Sequence, residues 1–344
     1  MATVRNRRIL LARRPAAEPS EADFEFSEVK LPDLPPGQML LRTLWLSLDP
    51  YMRGRMRDAK SYAPPVAIGD VMVGGTVSEV VSSNLPNFAP GDIIEGRTGW
   101  QEYAFSDGTQ MRKVDPSLAP ISTALGVLGM PGMTAYFGLL HIGQPKSGET
   151  VVVSAAAGAV GAIVGQIAKL KRCRVVGIAG AQEKCDYVVN ELGFDACINH
   201  HAPDLSHCLQ NACPKGIDVY FENVGGKVFE AVLPLLNNFA RVPVCGLIAN
   251  YNDAQLPPGP NQVPLVLRAI LSQRLNFRGF IQSDFADQKA SFFSDMITWV
   301  REKRIKYRED VVEGLENAPQ AFKKLFRGEN FGKLLVRVAR PNLR

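Results

Sequence analysis

Apolar and polar residues alternate in two different ways along the chain. Up to about residue 115, short apolar and β-branched runs are separated by turn residues, such as Pro90-Gly91-Asp92. Short strands between turns are typical of a compact β-rich domain, and the pattern leaves open whether that domain closes into a barrel. The strands predicted in this part of the chain cover residues 4–14, 38–46, 71–81 and 93–94, and the glycine pair within residues 71–81 predicts a bulge or bend there.

From about residue 146 the pattern changes to a regular alternation of strands and helices. It begins with a β-branched run at residues 150–154 and a segment of helical periodicity at residues 162–171. Such alternation predicts a parallel sheet, and right-handed crossovers make the sheet doubly wound with helices on both faces. The predicted fold class is therefore α/β, with a doubly wound Rossmann sheet beside the β-rich domain. Further strands are predicted at residues 174–179, 195–199, 217–222 and 240–246, and further helices at 182–192, 203–212 and 226–236.

Composition agrees with a folded chain of two domains, because 344 residues exceed the usual ~150 residues of one domain. Hydrophobic residues make up 46% and charged residues 21%, which excludes wholesale disorder. The net charge of +5 gives no reason to expect a nucleic-acid or membrane-surface partner. Residues 116–145 carry no charged side chain, but prolines and glycines interrupt them. A membrane-spanning helix is therefore not expected there, and a buried passage between domains fits better.

The cysteines and histidines argue against a zinc site. None of the six cysteines precedes Cys173, no two have CxxC spacing, and the first half of the chain has only His141 as a histidine. A structural zinc needs four clustered ligands and a catalytic zinc normally needs three. We therefore expect no metal. The cysteines are expected to be free thiols in a cytoplasmic protein, because nothing in the sequence points to an oxidising compartment.

A glycine-rich turn joins the first predicted strand of the second half to its helix. Residues 156–161 match the dinucleotide-binding fingerprint, with Ala156 at the position of the first glycine. Gly158 would let the backbone approach a pyrophosphate, Gly161 would let helix and strand pack closely, and the helix N-terminus would attract the negative charge. The alternative for the same residues is a tight turn without a ligand. The strand before the turn and the helix after it favour the nucleotide site.

The end of the next strand predicts which nucleotide is bound. NAD sites usually place an acidic residue there to hold the ribose 2′-hydroxyl. This chain has small neutral residues at 179–181, and Lys184 follows as a partner for a 2′-phosphate. Glu183 is the opposing observation, but at a helix start an acidic side chain is more typical of a surface residue that matches the helix dipole. The expected cofactor is therefore NADPH.

Several motifs resemble the zinc-independent medium-chain dehydrogenases/reductases, in the branch of the prostaglandin and leukotriene B4 reductases and the bacterial curcumin reductases. The resemblance covers nearly the whole chain. It implies a GroES-like catalytic domain at residues 1–128 and 301–344, a Rossmann NADP-binding domain at 129–300, and a homodimer. The motifs that carry it are residues 154–161, 221–226, 245–246, 251–252, 49–53 and 328–333.

The resemblance also implies a set of cofactor contacts. It assigns the pyrophosphate to the turn, the 2′-phosphate to Lys184, and nicotinamide-side or ribose contacts to Asn223 and Asn330, although either asparagine could instead form a turn. His200 stands where the mammalian relatives have tyrosine, and it is either a ribose- or phosphate-side contact or a solvated loop residue. The remaining implied contacts are Gly158, Ala159, Val160 and Gly161 in the turn, and Cys245, Gly246, Tyr251, Phe280, Ile281 and Gln282 at two strand ends.

The implied reaction is NADPH-dependent reduction of the carbon–carbon double bond of an α,β-unsaturated ketone or aldehyde. The developing enolate needs hydrogen-bond donors, and Tyr251, Tyr62 and Tyr51 are the candidates, with Tyr251 and Tyr62 near the substrate carbonyl. Arg53 is expected only to brace its loop. The proline-rich segment at residues 256–260 is expected to form a stiff loop over the substrate. Quinone or carbonyl reduction, and NADPH binding without turnover, remain the alternatives.

Overall fold

The computed structural model describes residues 4–253 and 261–341. These residues divide into two compact units. The first comprises the described residues up to Leu125, together with Glu309–Asn330 and the described residues from Leu334 onward. The second comprises Gly126–Arg308, apart from the undescribed residues 254–260, and Phe331–Lys333.

Helices and strands are numbered along the chain. The strands are β1 (Arg5–Leu11), β2 (Phe24–Lys30), β3 (Met39–Ser47), β4 (Thr76–Ser83), β5 (Ile93–Gly96), β6 (Tyr103–Ser106), β7 (Arg112–Lys113), β8 (Thr150–Ser154), β9 (Arg174–Ala179), β10 (Ala196–Asn199), β11 (Ile217–Phe221), β12 (Leu236–Val244), β13 (Asn276–Gly279), β14 (Glu309–Glu313) and β15 (Lys333–Arg337). The α-helices are α1 (Tyr51–Arg55), α2 (Met130–Phe137), α3 (Gly161–Leu170), α4 (Gln182–Asn190), α5 (Leu205–Ala212), α6 (Gly226–Val232), α7 (Val263–Gln273), α8 (Lys289–Arg301) and α9 (Ala318–Arg327).

The first unit is built mainly from antiparallel strands. One sheet has the order β14-β15-β3-β4-β5-β7 with β6 also paired to β3, and β1 pairs with β2 separately. Trp100 lies at the centre of the core, stacked on Phe24 at 5.5 Å between ring centroids and edge-on to Phe322 of α9 at 5.6 Å. The late segment that carries Phe322 is therefore part of the same core as the first strands.

The strand predicted at residues 71–81 is interrupted at its glycine pair, where a bulge or bend was expected, and the regular strand β4 begins only at Thr76. Val71 instead forms an isolated bridge with Leu10. The glycine pair explains the break, since a Cβ at Gly74 would lie 2.7 Å from Leu46 Cδ1. The chain approaches the core there too closely for an ordinary strand residue. The described pairings of the larger sheet also run in an open order rather than around a ring.

The second unit confirms the predicted doubly wound sheet. Its six parallel strands have the order β10-β9-β8-β11-β12-β13, so the direction of winding reverses between β8 and β11. Ligands bind α/β sheets at such a switch point, outside the carboxyl ends of the strands. Val151, Val152 and Val153 of β8 have no exposed surface, as a strand covered on both faces requires. The predicted boundaries of β8 and β9 match those observed.

Much of the uncharged stretch at residues 116–145 forms α2 and a π-helical segment, Gly138–Gly143, of the second unit. Its side chains are largely buried, as expected. Phe137 stacks on Phe285 at 5.0 Å, and the Tyr136 hydroxyl donates to Asp295 at 2.7 Å. Within the described residues, no helix is long and apolar enough to cross a membrane.

The close packing of the glycine-rich turn gives a testable prediction. A Cβ at Gly161 would lie 2.3 Å from the backbone oxygen of Ala155, and a backbone atom cannot move aside without rebuilding the turn. Gly161→Ala should therefore lower the free energy of unfolding by ~1–3 kcal/mol in urea titrations. Gly279→Ala is the control, because its Cβ would meet nothing within 4 Å. Equal losses in the two variants would contradict the packing argument.

Candidate cofactor and active site

The glycine-rich turn leaves β8 and enters α3 in a conformation fixed by short backbone contacts. Ala155 has a positive φ of 51°, and the Gly158 N–H donates to its oxygen at 2.9 Å. The Ala156 N–H donates to Ile178 of β9, also at 2.9 Å. In the first turn of α3, the N–H groups of Ala162 and Ile163 donate to the oxygens of Gly158 and Val160 at 3.1 and 3.0 Å. The positive end of the helix dipole lies at the turn, where it favours an anion.

Ala156 replaces the first glycine of the fingerprint without distorting the turn. The residue has no exposed surface. The position where Gly177 of β9 would carry a Cβ lies 2.7 Å from the Ala156 methyl carbon. The absence of a side chain at Gly177 therefore provides the space that the Ala156 methyl group occupies.

A segment from the end of the chain also packs against this turn. The Gly332 N–H donates to the Ala157 oxygen at 3.2 Å, and Gly332 forms a parallel bridge with Gly158. Gly332 has a φ of 85°, and a Cβ there would lie 2.2 Å from the Arg308 oxygen. The glycine is thus required by both its backbone conformation and its surroundings. Gly332 belongs to a motif that contributed to the resemblance, but no role was predicted for this residue itself.

The end of β9 carries no acidic residue, as predicted. Lys184 is half-buried on α4, with its ammonium 6.0 Å from the centroid of the Phe331 ring. Glu183 is exposed in the first turn of the same helix, where its charge matches the helix dipole. The neutral residues at this strand end and the lysine beside it fit a phosphorylated ribose.

His200 follows β10 and lies beside the end of β9. Its backbone N–H donates to the backbone oxygen of Ala179 at 2.9 Å. Its ring atom Nε2 lies 3.2 Å from the position that a Cβ on Gly180 would occupy. Burial, followed by the charge of His201, lowers the pKa of His200 below its usual value. The half-buried ring is therefore a neutral hydrogen-bonding group at pH 7 rather than a solvated cation.

Asn223 is held at the end of β11 by two hydrogen bonds to Ser154 of β8. The Asn223 N–H donates to Ser154 Oγ at 2.9 Å, and its side-chain amide donates to the Ser154 oxygen at 2.8 Å. These bonds link the two strands that flank the switch point. Asn223 is therefore a fixed group at the carboxyl edge of the sheet.

The preceding residue, Glu222, organises this strand end and was missed by the sequence reasoning. It is only 2% exposed. One carboxylate oxygen, Oε1, accepts four hydrogen bonds, from Val224 N at 2.7 Å, Tyr220 Oη at 2.9 Å, Gly225 N at 3.0 Å and Ser154 Oγ at 3.1 Å. The other, Oε2, is buried and has no partner among the described residues. Burial raises the pKa of Glu222, although its hydrogen bonds oppose that shift.

The end of β12 places Cys245, Gly246 and Tyr251 together. The backbone N–H groups of Cys245 and Gly246 donate to the backbone oxygen of Glu222 at 2.9 and 3.1 Å. Tyr251 Oη lies 3.0 Å from the position of a Cβ on Gly246 and accepts a long hydrogen bond of 3.4 Å from Leu247 N. Burial raises the pKa of Cys245 to about 12, so this residue is a neutral thiol and not a nucleophile.

The end of β13 contributes Phe280, Ile281 and Gln282. Phe280 is 7% exposed and lies edge-on to Phe221 at 6.2 Å. The Ile281 N–H donates to Asp284 Oδ2 at 3.0 Å. Gln282 is 8% exposed, and its side-chain oxygen is buried without a hydrogen-bond partner among the described residues. Such an acceptor fits a ligand with a donor group, for example the carboxamide of a nicotinamide.

The remaining predicted residues, Tyr51, Tyr62 and Asn330, belong to the first unit. Tyr51 begins α1, and burial, followed by the charge of Asp49, raises its pKa well above the usual value. Tyr62 is 61% exposed and Asn330 is half-buried.

Arg53 has the bracing role expected of it. It has no exposed surface, and its guanidinium donates to the backbone oxygens of Pro15 at 3.1 Å and Ala17 at 2.8 Å. The proline-rich loop at residues 256–260, predicted to cover the substrate, lies outside the described residues. Within the described ranges, no three His, Cys, Asp or Glu side chains are grouped as a metal site would require.

Comparisons with known proteins cover almost the whole chain. One family model, described as the N-terminal domain of oxidoreductase, matches residues 7–114, and another, described as zinc-binding dehydrogenase, matches residues 159–301. The chain is 56% identical to the NADPH-dependent curcumin reductase of Escherichia coli, covering 97% of each chain. It is 41% identical to the 2-alkenal reductase (NADP(+)-dependent) of Nicotiana tabacum, covering 98% of each.

The solved structures agree with these matches. The crystal structure of CurA from Vibrio vulnificus in complex with NADPH has a TM-score of 0.94 and 52% sequence identity to this chain. The match covers 97% of this chain and 100% of that one.

The buried Glu222 gives a prediction about pH. Because folding raises its pKa, this carboxyl group contributes less to the free energy of unfolding as pH rises above its unfolded pKa of ~4.3. Glu222→Gln removes the ionisation but keeps an oxygen acceptor. The free energy of unfolding of Glu222→Gln minus that of the parent should therefore increase as pH rises above ~4.3. Glu183→Gln, at an exposed position, should show no such trend, and a constant difference for Glu222→Gln would refute the argument.

Proposed function

We propose a function on the premise that this chain belongs to the medium-chain dehydrogenase/reductase family, together with the NADPH-dependent curcumin and 2-alkenal reductases. The proposed reaction is the NADPH-dependent reduction of the carbon–carbon double bond of α,β-unsaturated ketones and aldehydes. One observation carries the proposal. A chain similar to these reductases over its whole length presents a dinucleotide turn and a neutral β9 end followed by Lys184 at one edge of its parallel sheet. We assign cofactor binding to the second unit.

The cofactor assignment follows from the strand ends. The turn around Gly158 and Gly161 receives the pyrophosphate, Lys184 receives the 2′-phosphate, and Asn223 and Gln282 present polar groups to the nicotinamide side. When bound, NADPH supplies the hydride, which goes to the β-carbon of the enone. The protein must then stabilise the negative charge on the carbonyl oxygen and supply a proton to the α-carbon.

Tyr251 is the proposed hydrogen-bond donor to the carbonyl oxygen. Its hydroxyl oxygen lies beside Gly246 at the end of β12 and accepts from Leu247 N at 3.4 Å. Tyr51 stays protonated at neutral pH because its pKa is raised, so it too is a donor rather than an anion. Tyr62 is the third candidate, and its exposed side chain is accessible to a substrate. We assign the α-carbon proton to a tyrosine or to water.

The proposed reaction is tested by comparing three substrates: an enone, the saturated ketone of the same skeleton, and a quinone. Oxidation of NADPH is followed by absorbance and the products are identified by mass spectrometry. Rapid turnover of the enone to the saturated ketone, with no turnover of that ketone, is the expected result. Turnover of the saturated ketone to an alcohol, or of the quinone alone, would support the alternative reductases. Failure to oxidise NADPH with any substrate in a single turnover would support a binding protein.

Tyr251→Phe tests the oxyanion role. Removal of the Tyr251 hydroxyl should lower turnover of the enone by ~10–100-fold. Hydrogen-bond donors to a developing oxyanion typically contribute ~10²–10³-fold to the rate, and the loss is smaller here because a ribose hydroxyl of the cofactor is expected to share the role. NADPH affinity should stay within about threefold, since the hydroxyl is not a main cofactor contact. The oxyanion role would be contradicted if Tyr251→Phe turned over the enone at the parent rate and Tyr251→Ala only raised KM. Tyr251 would then contribute only an aromatic contact with the substrate. Tyr62→Phe would then be assayed next.

We also propose that the protein is a homodimer, as the family resemblance implies, and that it is cytoplasmic, as its free thiols indicate. Helix α7 carries apolar side chains that are largely exposed, among them Leu265 at 58%, Leu267 at 59% and Leu271 at 81%. It packs against β12, the neighbour of the edge strand β13. An exposed apolar face beside a sheet edge is typical of a surface that a second copy covers.

The dimer is tested by light scattering on the full chain. Leu271→Glu places a charge on the α7 face and should shift the protein toward the monomer, because a buried unpaired charge opposes association. Leu118→Glu, at an exposed apolar residue of the first unit, is the control. A parent protein that is monomeric at micromolar concentration, or a dimer that Leu271→Glu leaves unchanged, would contradict this surface.

A further inference from the structure

Two side chains of α4 and one from the end of the chain form an aromatic and cationic cluster beside the glycine-rich turn. Lys184 and Tyr187 lie one helical turn apart, and both face Phe331. The Tyr187 and Phe331 rings meet edge-on at 5.0 Å, and the Lys184 ammonium lies 6.0 Å from the Phe331 centroid. Phe331 is fixed here because its neighbour Gly332 is hydrogen-bonded to Ala157 of the turn.

Arg308 adds a second cation to this cluster. Its guanidinium carbon lies 3.7 Å from the Phe331 centroid and 5.8 Å from the Tyr187 centroid. Its backbone is fixed as well, since its oxygen accepts from Lys333 N at 2.9 Å and lies against Gly332. Side-chain contact with a ring face orients the guanidinium and leaves its N–H groups available at the edge.

Among the described residues, no carboxylate forms an ion pair with the Arg308 guanidinium, and the side chain is exposed. Other exposed arginines nearby differ in this respect, because Arg304 pairs with Glu302 at 3.3 Å. A guanidinium that is oriented on an aromatic ring but not neutralised is suited to a phosphate.

We infer that Arg308 is a second ligand of the 2′-phosphate of NADPH, held in place by Phe331 and acting together with Lys184. The inference rests on the proposed function for the identity of the cofactor. A ribose 2′-phosphate carries a charge between about −1.5 and −2, as phosphate monoesters do, so one lysine neutralises only part of it. His200 and His201, which follow β10, are the other basic side chains described near the end of β9. Burial lowers the pKa of His200, so its ring does not supply a full positive charge at pH 7. Arg308 thus supplies the second full positive charge, and its role is selectivity for NADPH over NADH.

The test measures binding rather than turnover. Dissociation constants for NADPH, NADH, adenosine 2′,5′-bisphosphate and adenosine 5′-monophosphate are determined by calorimetry on the full chain. Arg308→Ala should weaken NADPH and the bisphosphate by roughly tenfold and leave NADH and the monophosphate unchanged, because only the first two carry the 2′-phosphate. Lys184→Ala should weaken the same two ligands by roughly ten- to a hundredfold. Arg308→Lys should restore part of the loss, and Arg304→Ala should have no effect.

The outcomes separate this inference from the proposed function. The losses in Arg308→Ala should shrink at high ionic strength, because the interaction is between charges. Equal weakening of all four ligands would show that Arg308 contacts the adenine, and parent affinity for NADPH would show that it makes no contact. Either result overturns the inference while the cofactor choice stands. A parent protein that binds the bisphosphate no better than the monophosphate would instead refute the NADPH assignment itself.

Discussion

The site depends on how closely the first strand of the parallel sheet can approach its helix and its neighbouring strand. Gly161 lies against the Ala155 oxygen, and the Ala156 methyl group occupies space that Gly177 leaves open. These contacts fix where α3 begins, and therefore where the positive end of its dipole lies. The C-terminal segment relies on the same turn, since Gly332 is hydrogen-bonded to it. A nucleotide phosphate site is thus created by the absence of side chains at a few positions.

The remaining functional groups are placed by the carboxyl ends of the other parallel strands. Glu222 is central to this arrangement, because its buried carboxylate binds the turn after β11 and its backbone oxygen binds the end of β12. A buried acid is costly unless it is hydrogen-bonded, and here four donors converge on one oxygen. We infer that this cost is tolerated because it holds Asn223, Cys245 and Gly246 in fixed positions at the edge of the sheet.

Local sequence patterns predict those parts of the molecule that local interactions determine. The β-branched runs of β8 and β9 and the turn between β8 and α3 were predicted at their observed positions, because strand and turn signals lie within a few residues of each other. The strand at 71–81 was predicted too long, since Gly74 is constrained by Leu46 and Trp100 from elsewhere in the chain. Arg308 gave no signal of its own and Phe331 appeared only within the motif at residues 328–333, because only folding brings these two residues beside Lys184 of α4. The site roles of the tyrosines remain predictions.

The central claim is that hydride is delivered to carbon and not to a carbonyl group. The most direct measurement uses NADPH deuterated at C4 of the nicotinamide, with an enone as substrate and analysis of the product by NMR. The account predicts a saturated ketone with deuterium on its β-carbon and a solvent-derived hydrogen on its α-carbon. Deuterium on a carbon that bears a new hydroxyl group, with the double bond intact, would contradict it.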